Sequence, residues 1–274
     1  MSVRVVAAVA GEQRSLAGLP WAARLAQVGG GLEILSVAEP GGGDERARWL
    51  RTRPEVGDVN AEVTVREGDP AEVITAAARS EQDTVVCMAT RGRGPWREAL
   101  LGSVSGEVLR KAGRPVLLVG PRAAPPPVDA TLGRVVATLD GSAMSEVALP
   151  VASSWAHRFD ADIRLLAVVY PLVDPAARVV TALPPEAKAV YTKVGERSRE
   201  LQEGGLDADW WVVAHEDPGA TIADHVRLAP SWLLVMATHG HTGLARVLVG
   251  SVTTEVVRRH TGPVLVIRSE RLGE

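Results

Sequence analysis

The chain has 274 residues, which at roughly 150 per domain predicts two domains, each large enough to bury a core. Apolar residues make up 46% and charged residues 23%, which excludes a disordered chain, and the net charge of −3 holds no basic excess that would favour nucleic acid. One cysteine excludes an internal disulfide and leaves too few thiols for a Cys/His structural zinc site, and no apolar run approaches the ~18 residues of a membrane span. The expectation is a cytoplasmic protein whose partners include neither membrane nor nucleic acid.

In chain order, Val3–Ala10 is a short apolar run followed directly by Glu12 and Arg14, with no small-residue cleavage site. It reads as a first strand rather than a signal peptide. Leu32–Ala38, Ala61–Arg66, Thr84–Ala89 and Pro115–Val119 complete a first set of five strands, with helices over Pro70–Arg79 and Ser103–Lys111. Gly120–Asp129 is proline-rich and reads as an extended, fairly stiff linker. Beyond it come strands Arg134–Asp140, Ile163–Tyr170, Trp210–His215, Trp232–Ala237 and Pro263–Arg268. Helices are predicted over Ser145–Phe159, Glu186–Glu203, Pro218–Leu228 and Ser251–Arg259. Runs apolar on both faces suit parallel strands covered by helices on each side.

The two sets are copies of each other. The first strands align at an offset of 130, the second strands at 131, and residues 85–119 align with 233–267 at 148 with 14 of 35 positions identical. The change of 17 places one insertion between about Leu172 and Ala208. A period this long is a duplicated domain, not a solenoid unit. The chain therefore divides into a first domain over 1–120, a linker over 121–132 and a second domain over 133–274. The fold class is α/β: two tandem, doubly wound, Rossmann-like domains, each with a five-stranded parallel sheet.

In open parallel sheets, ligands sit beyond the carboxyl ends of the strands, where the strand order reverses. The loops after the first and fourth strands are well preserved between the copies and would line one crevice. The later loop ends at Gly102-Ser103 in one copy and Gly250-Ser251 in the other, each at a helix start. Free N–H groups and the positive helix end make such a start a phosphate seat. A valine at Gly250 is expected both to block an anion's approach and to restrict the backbone of the turn, and the same change at Gly102 is expected to matter less.

Gly92 and Gly240 each precede the Gly-Ser pair by nine intervening residues, Leu139-Asp-Gly-Ser142 opens the second copy's first loop, and both copies close on a Pro-Val-Leu strand. These residues resemble the universal stress protein (UspA) family over nearly the whole chain, in its tandem two-domain form. The resemblance implies a stress-response module, with an ATP-binding branch in which Mg²⁺ accompanies the nucleotide. It implies as ligands a strand-one aspartate, a strand-two valine and a Gly-x-x-Gly-x9-Gly-Ser/Thr loop. Carried onto this chain, those are Asp140, Val168, Gly240, Gly250 and Ser251 in the second copy. In the first they are Val37, Gly92, Gly102 and Ser103, with Ala10 where the aspartate would stand. Alanine also replaces the motif's opening glycine in both copies, at Ala89 and Ala237. The expectation is a nucleotide held preferentially in the second domain. The family's non-binding branch leaves the alternative of an interaction or scaffold protein with an unknown protein partner. The resemblance further implies that fifth strands Val116–Val119 and Val264–Arg268 pair edge to edge, within one chain as a pseudo-dimer or between chains as a homodimer.

Several of these residues also have a plain structural reading. Asp140 before Gly-Ser either contacts a nucleoside or forms a turn and caps a helix, and the Gly-Ser loops serve equally as tight turns. His239 and His241 lack a nearby third ligand and read as loop histidines, so no metal site is assigned. Cys87 reads as a packing thiol, and Trp155, Trp210, Trp211 and Trp232 as core or interface anchors. Glu216 stands where the first copy has Gly68, and a carboxylate facing phosphates would oppose them. With no G-x-x-x-x-G-K-[ST] and no G-x-S-x-G, no catalytic residue is assigned, and any ATP hydrolysis is expected to be slow and incidental.

Overall fold

A computed structural model of the chain describes residues 2–57, 60–90, 102–126, 132–174, 179–182, 184–227, 232–239 and 249–269. The first half holds β1 (Arg4–Val9), α1 (Leu19–Gly29), β2 (Leu32–Ala38), α2 (Gly43–Arg51), α3 (Pro54–Gly57), β3 (Glu62–Glu67), α4 (Pro70–Arg79), β4 (Thr84–Ala89), α5 (Ser103–Lys111) and β5 (Val116–Val119). The second holds β6 (Arg134–Leu139), α6 (Ala148–Phe159), β7 (Asp162–Val169), β8 (Leu172–Asp174), β9 (Val179–Ala182), α7 (Pro185–Glu203), β10 (Ala208–Ala214), α8 (Pro218–Arg227), β11 (Trp232–His239), α9 (Ser251–Arg259) and β12 (Pro263–Ser269). All ten expected strands are present, with ends within two residues of the sequence reading. The antiparallel hairpin β8–β9, inside the 17-residue insertion, was not expected, and of the four helices expected in the first copy α1 and α2 had no predicted bounds, with α3 one more.

Local chemistry sets the helix starts alike in both copies. Asp69 accepts the Glu72 N–H at 2.9 Å ahead of Pro70, and Asp217 accepts the Ala220 N–H at 2.9 Å ahead of Pro218. Each carboxylate satisfies an amide that the helix leaves unpaired, and each proline sits where its missing N–H costs nothing.

The two expected five-stranded sheets form one ten-stranded sheet in the order β10-β7-β6-β11-β12-β5-β4-β1-β2-β3. Every neighbouring pair is parallel except β12 and β5, which run antiparallel with Pro263 opposite Val119 and Val266 opposite Val116. The fifth strands thus pair within the chain. Core layers run through both halves: Val5, Leu117, Val135 and Leu265 belong to one face of the sheet, and Val6, Leu118, Val136 and Val264 to the other. Leu117, Leu118 and Leu265 at the junction are fully buried, each stabilising the join by about 1.5–3 kcal/mol.

The described part of the connection after β5, residues 120–126, is docked on the domains at Ala124. Trp21 donates its indole N–H to the Ala124 carbonyl at 2.9 Å, and the Ala124 N–H reaches the Thr261 carbonyl at 2.8 Å. Gly120 lies so close to α9 that a Cβ there would overlap the carbonyl oxygen of Val257. Beside this contact, His260 ends α9 fully buried, and neither ring nitrogen has a hydrogen-bond partner among the described residues. Burial holds its pKa down at about 4. The glycine at Gly262 makes room for the ring, since a Cβ there would stand 2.8 Å from Nε2. The first copy has Ala112 at the matching helix end.

Among the aromatic and thiol residues, Cys87 is buried, its Sγ lies 3.4 Å from the Gly18 carbonyl, and burial pushes its pKa up to about 12, as befits a packing thiol. Trp155 is buried and stacks on Phe159, and Trp210 meets Tyr191 edge to face at 4.5 Å. Of the two roles expected of it, core or interface anchor, Trp211 does not take the core one. It is 48% exposed on β10, an end strand of the sheet, with the Arg164 guanidinium 4.2 Å from its ring centre. The Trp232 side chain lies outside the described residues.

Two measurements follow from the docked connection and its neighbour. Gly120→Ala is expected to destabilise the chain by about 1–3 kcal/mol, because overpacking forces backbone apart there. Gly133→Ala, where a Cβ meets nothing within 4 Å, serves as the silent control in the same thermal melts. In the pH series, the depressed His260 pKa means the unfolded chain takes up a proton that the folded chain refuses. Stability from this group is therefore full above about pH 6.5 and falls towards pH 4, by up to about 3 kcal/mol. Denaturant melts of His260→Leu should lose that slope while keeping pH 7 stability, since an apolar side chain of similar size removes two buried unpaired nitrogens. An unchanged slope would show that His260 is not buried neutral.

Candidate functional site

β1 lies between β4 and β2, so the chain order reverses at the β1–β4 junction, where a crevice opens beyond the carboxyl ends. It encloses about 310 Å³, at the lower end of the ~300–1,000 Å³ usual for small-ligand sites. Ala8, Val9 and Ala10 from β1 and its end, Val37 from β2, Met88 and Ala89 from β4, and Ile74 from α4 give it apolar walls. Gly102, Ser103, Val104 and Ser105 close one side with the start of α5, and Glu12, Arg14, Ser15 and Thr90 add polar groups.

The α5 start has the form that an anion seat requires. Gly102 has φ +66° and ψ 157°, a conformation left to glycine, and no side chain caps the helix. Its first-turn amides and the exposed Ser103 hydroxyl therefore stand beside the cavity, with the helix dipole's positive end. Among the described lining residues, Arg14 is the cation and Glu12 the carboxylate.

The second copy brings the corresponding residues together at the ends of β6, β7 and β11. Leu139 pairs with Ala167, which sets Val168 beside Asp140, and Val168 is half-buried. The Gly250 N–H donates to Thr238 Oγ1 at 3.1 Å, which ties the α9 start to the end of β11, next to β6. Ser251 is exposed. Gly92, Gly240 and His241 lie outside the described residues, as does the His239 side chain.

The structure corrects one expectation. Gly250 has φ −59° and ψ 149°, an extended conformation open to any residue, and a Cβ there would lie 3.8 Å from Thr238 Oγ1. The backbone of that turn does not demand glycine, whereas the Gly102 turn does. Identical Gly-Ser pairs thus sit in different conformations.

The loops after β1 and β6 share a closure. Ser15 Oγ donates to the carbonyls of Glu12 and Ala10 at 2.6 and 2.9 Å, and Ser145 Oγ donates to the Ser142 carbonyl at 2.8 Å. Asp140 is exposed, and its Oδ1 accepts the Ser142 N–H at 2.9 Å and the Ser142 hydroxyl at 2.6 Å, so its carboxylate builds the turn. Ala10 has no such group.

A cation from a later helix stands at each loop, which the sequence reading missed. Arg46 of α2 donates to Ser36 Oγ and the Val37 carbonyl at 3.0 and 3.1 Å, with its guanidinium where a Gly11 side chain would stand. Lys193 of α7 donates to the Gly141 carbonyl at 2.8 Å, while Val190 fills the space beside Gly141, whose φ is +85°. Lys193 and Arg197 also engage Glu146; burial raises that carboxyl's pKa, and the two cations outweigh it and hold the group below its usual range. The available signal was the glycine repeated at positions 11 and 141. Glu216 is exposed, and Asp217 beside it is the residue that caps α8. Among the described residues, no group of three His, Cys, Asp or Glu side chains is placed to hold a metal ion.

Comparison with known proteins gives a consistent result. The sequence model of the universal stress protein family matches residues 42–120 and 131–268. A universal stress protein of Mycobacterium tuberculosis is 31% identical over 201 residues, 72% of this chain. The match spans 65% of that relative, just under two thirds of its length. A crystal structure of a universal stress protein from Archaeoglobus fulgidus covers 97% of this chain and 98% of its own, with a TM-score of 0.72 at 18% identity. Another solved universal stress protein, in complex with cAMP, aligns with 52% of this chain and all of its own at 22% identity and a TM-score of 0.41. The duplicated sheet, the two crevice loops and the two matched segments have one reading: the chain belongs to the universal stress protein family and carries two tandem copies of its domain.

Proposed function

We propose that the chain is an adenine-nucleotide-binding stress-response module that acts through assembly or partner choice rather than through catalysis. The observation that carries this reading is the crevice at the β1–β4 junction, which closes on the uncapped start of α5. Its apolar walls, Ala8, Val37, Met88 and Ile74, suit a flat base, and the amides at Ser103 to Ser105 suit phosphate oxygens. The residues present fit ATP in that sense. Mg²⁺ would be held by the phosphates, with Glu12 the described carboxylate in the lining. The second seat, formed by Asp140, Val168, Gly250 and Ser251, adds a carboxylate for the nucleoside. Its cost is exchanging the Asp140–Ser142 hydrogen bonds for contacts with the ligand. Cytoplasmic location belongs to the same proposal.

Binding here places phosphates against neutral amides and hydroxyls. The described lining offers neither a lysine nor a second cation to stabilise charge on a transferring phosphoryl group, so holding ATP does not carry cleavage with it. A second reading, a ligand-free interaction module, is favoured by Ala10 and by the Asp140 carboxylate already engaged in its own turn.

Calorimetric titration of the full chain with ATP and Mg²⁺ separates the two readings. Asp140→Ala should weaken the second seat by about 1–3 kcal/mol, as for a hydrogen bond lost from a charged group. Gly250→Val is the cleaner block, because the fold accommodates it and its stability should stay within about 1 kcal/mol of wild type. Gly102→Val should abolish binding in the first crevice and cost about 1–3 kcal/mol in stability through its φ. Absence of heat at millimolar ATP in the wild type would leave the interaction-module reading standing. Unaltered affinity in all three variants would overturn the seats named here.

A further inference from the structure

We propose that β3 is a self-docking edge, through which two copies of the chain join by antiparallel β3–β3 pairing about a twofold axis at Thr64. β3 ends the ten-stranded sheet, and among the described residues no strand pairs with its outer side. Such an edge presents unpaired N–H and C=O groups and is a template for another strand. Val63 on it is 42% exposed, an apolar side chain turned to water at the rim.

Charge identifies the occupant. Glu62 and Arg66 are both exposed and, among the described residues, make no ion pair or side-chain hydrogen bond. They are four apart in a strand and so lie on the same face of the sheet, with Thr64 between them. When β3 meets a second β3 antiparallel and centred on Thr64, Glu62 lies opposite Arg66 of the partner subunit, and Arg66 lies opposite the partner's Glu62. Two cross-strand ion pairs then flank a threonine pair, and Val63 faces the partner's Val65 on the other side. The third charge of the strand does not interfere. Glu67 accepts the Gly41 N–H at 3.0 Å and would face the partner's Ala61.

Neighbouring registers lose this match. A shift of one residue sets Glu62 against the partner's Glu67 or the partner's Val65, and a shift of two sets Val63 against a charge or removes both ion pairs. The sequence Glu-Val-Thr-Val-Arg is therefore complementary to itself in one register. A contact made by one patch on both copies closes as a dimer. The opposite end of the sheet lacks the feature: on β10, Asp209 is bound by Arg164 and Arg134, and Arg164 lies over the Trp211 ring. A six-residue edge buries less than a standard interface, so the dimer is weak and reversible.

Analytical ultracentrifugation of the full chain over a micromolar concentration series tests this. Wild type should pass reversibly from monomer to dimer. Glu62→Arg, which sets arginine against arginine twice, should raise the dissociation constant about tenfold or more, and Arg66→Glu should do the same. The double variant Glu62→Arg/Arg66→Glu should dimerise as wild type does, which shows that the single changes act through pairing and not through folding. Thr64→Cys should give a disulfide-linked dimer on mild oxidation, with buried Cys87 taking no part. A wild type that stays monomeric, or a Glu62→Arg protein that dimerises normally, overturns the proposal. Growth into long oligomers would overturn it too, because that is the mark of β3 meeting β10.

Discussion

Everything in this molecule depends on the antiparallel ladder between β5 and β12. Each half ends its sheet in a strand whose paired residues, 116–119 and 263–266, are all apolar, and neither could leave those outer backbone groups and side chains in water without cost. Joining the two strands satisfies both edges at once and fuses two cores into layers shared by both halves. The direction of the join has a geometric result. Strands run parallel within each half and antiparallel at the seam, so the carboxyl ends of the halves point to opposite ends of the sheet. The crevice at β1–β4 and the corresponding strand ends of the second half therefore face opposite ways.

The stability of the seam is concentrated in a few close approaches. Gly120 permits α9 and the connecting segment to touch backbone to backbone, and Trp21 anchors that segment through Ala124. His260 lies buried beside them in its neutral form. Elsewhere ion pairs set acid sensitivity. Burial raises the Asp209 carboxyl's pKa, and the guanidiniums of Arg164 and Arg134 outweigh it and hold the group below its usual range. Arg258 and Arg259 do the same for Glu255 against its partial burial. The carboxylate contributions are lost as pH falls through depressed values, below the window in which His260 acts.

Much of this architecture was legible in the sequence because duplication doubles every signal. The strands read as apolar runs, and the shift in offset located the insertion. The hairpin β8–β9 escaped because strands of three and four residues carry no pattern, and α2 because its charged surface hides a single buried leucine, Leu50. At the crevice, residue identity located the loops but not their conformations. Gly102 and Gly250 are the same residue in the same motif, yet one φ is positive and the other is not. Lys193 was invisible because it bonds Gly141 across 52 residues, and Arg46 because its guanidinium bonds the end of β2 and comes to lie beside Gly11 only once the sheet has formed.

The covalent link between the halves also settles who can pair with whom. Two fifth strands on one chain meet at the high effective concentration set by a short connection, on the order of millimolar for flexible tethers. Half-domains on other chains, however similar, cannot compete for that edge. The duplicated copies are thus insulated from exchange and free to diverge. One carries Ala10 where the other carries Asp140. A protein assembled from separate, identical subunits could not keep that difference, because the same change would appear on both sides of every pair.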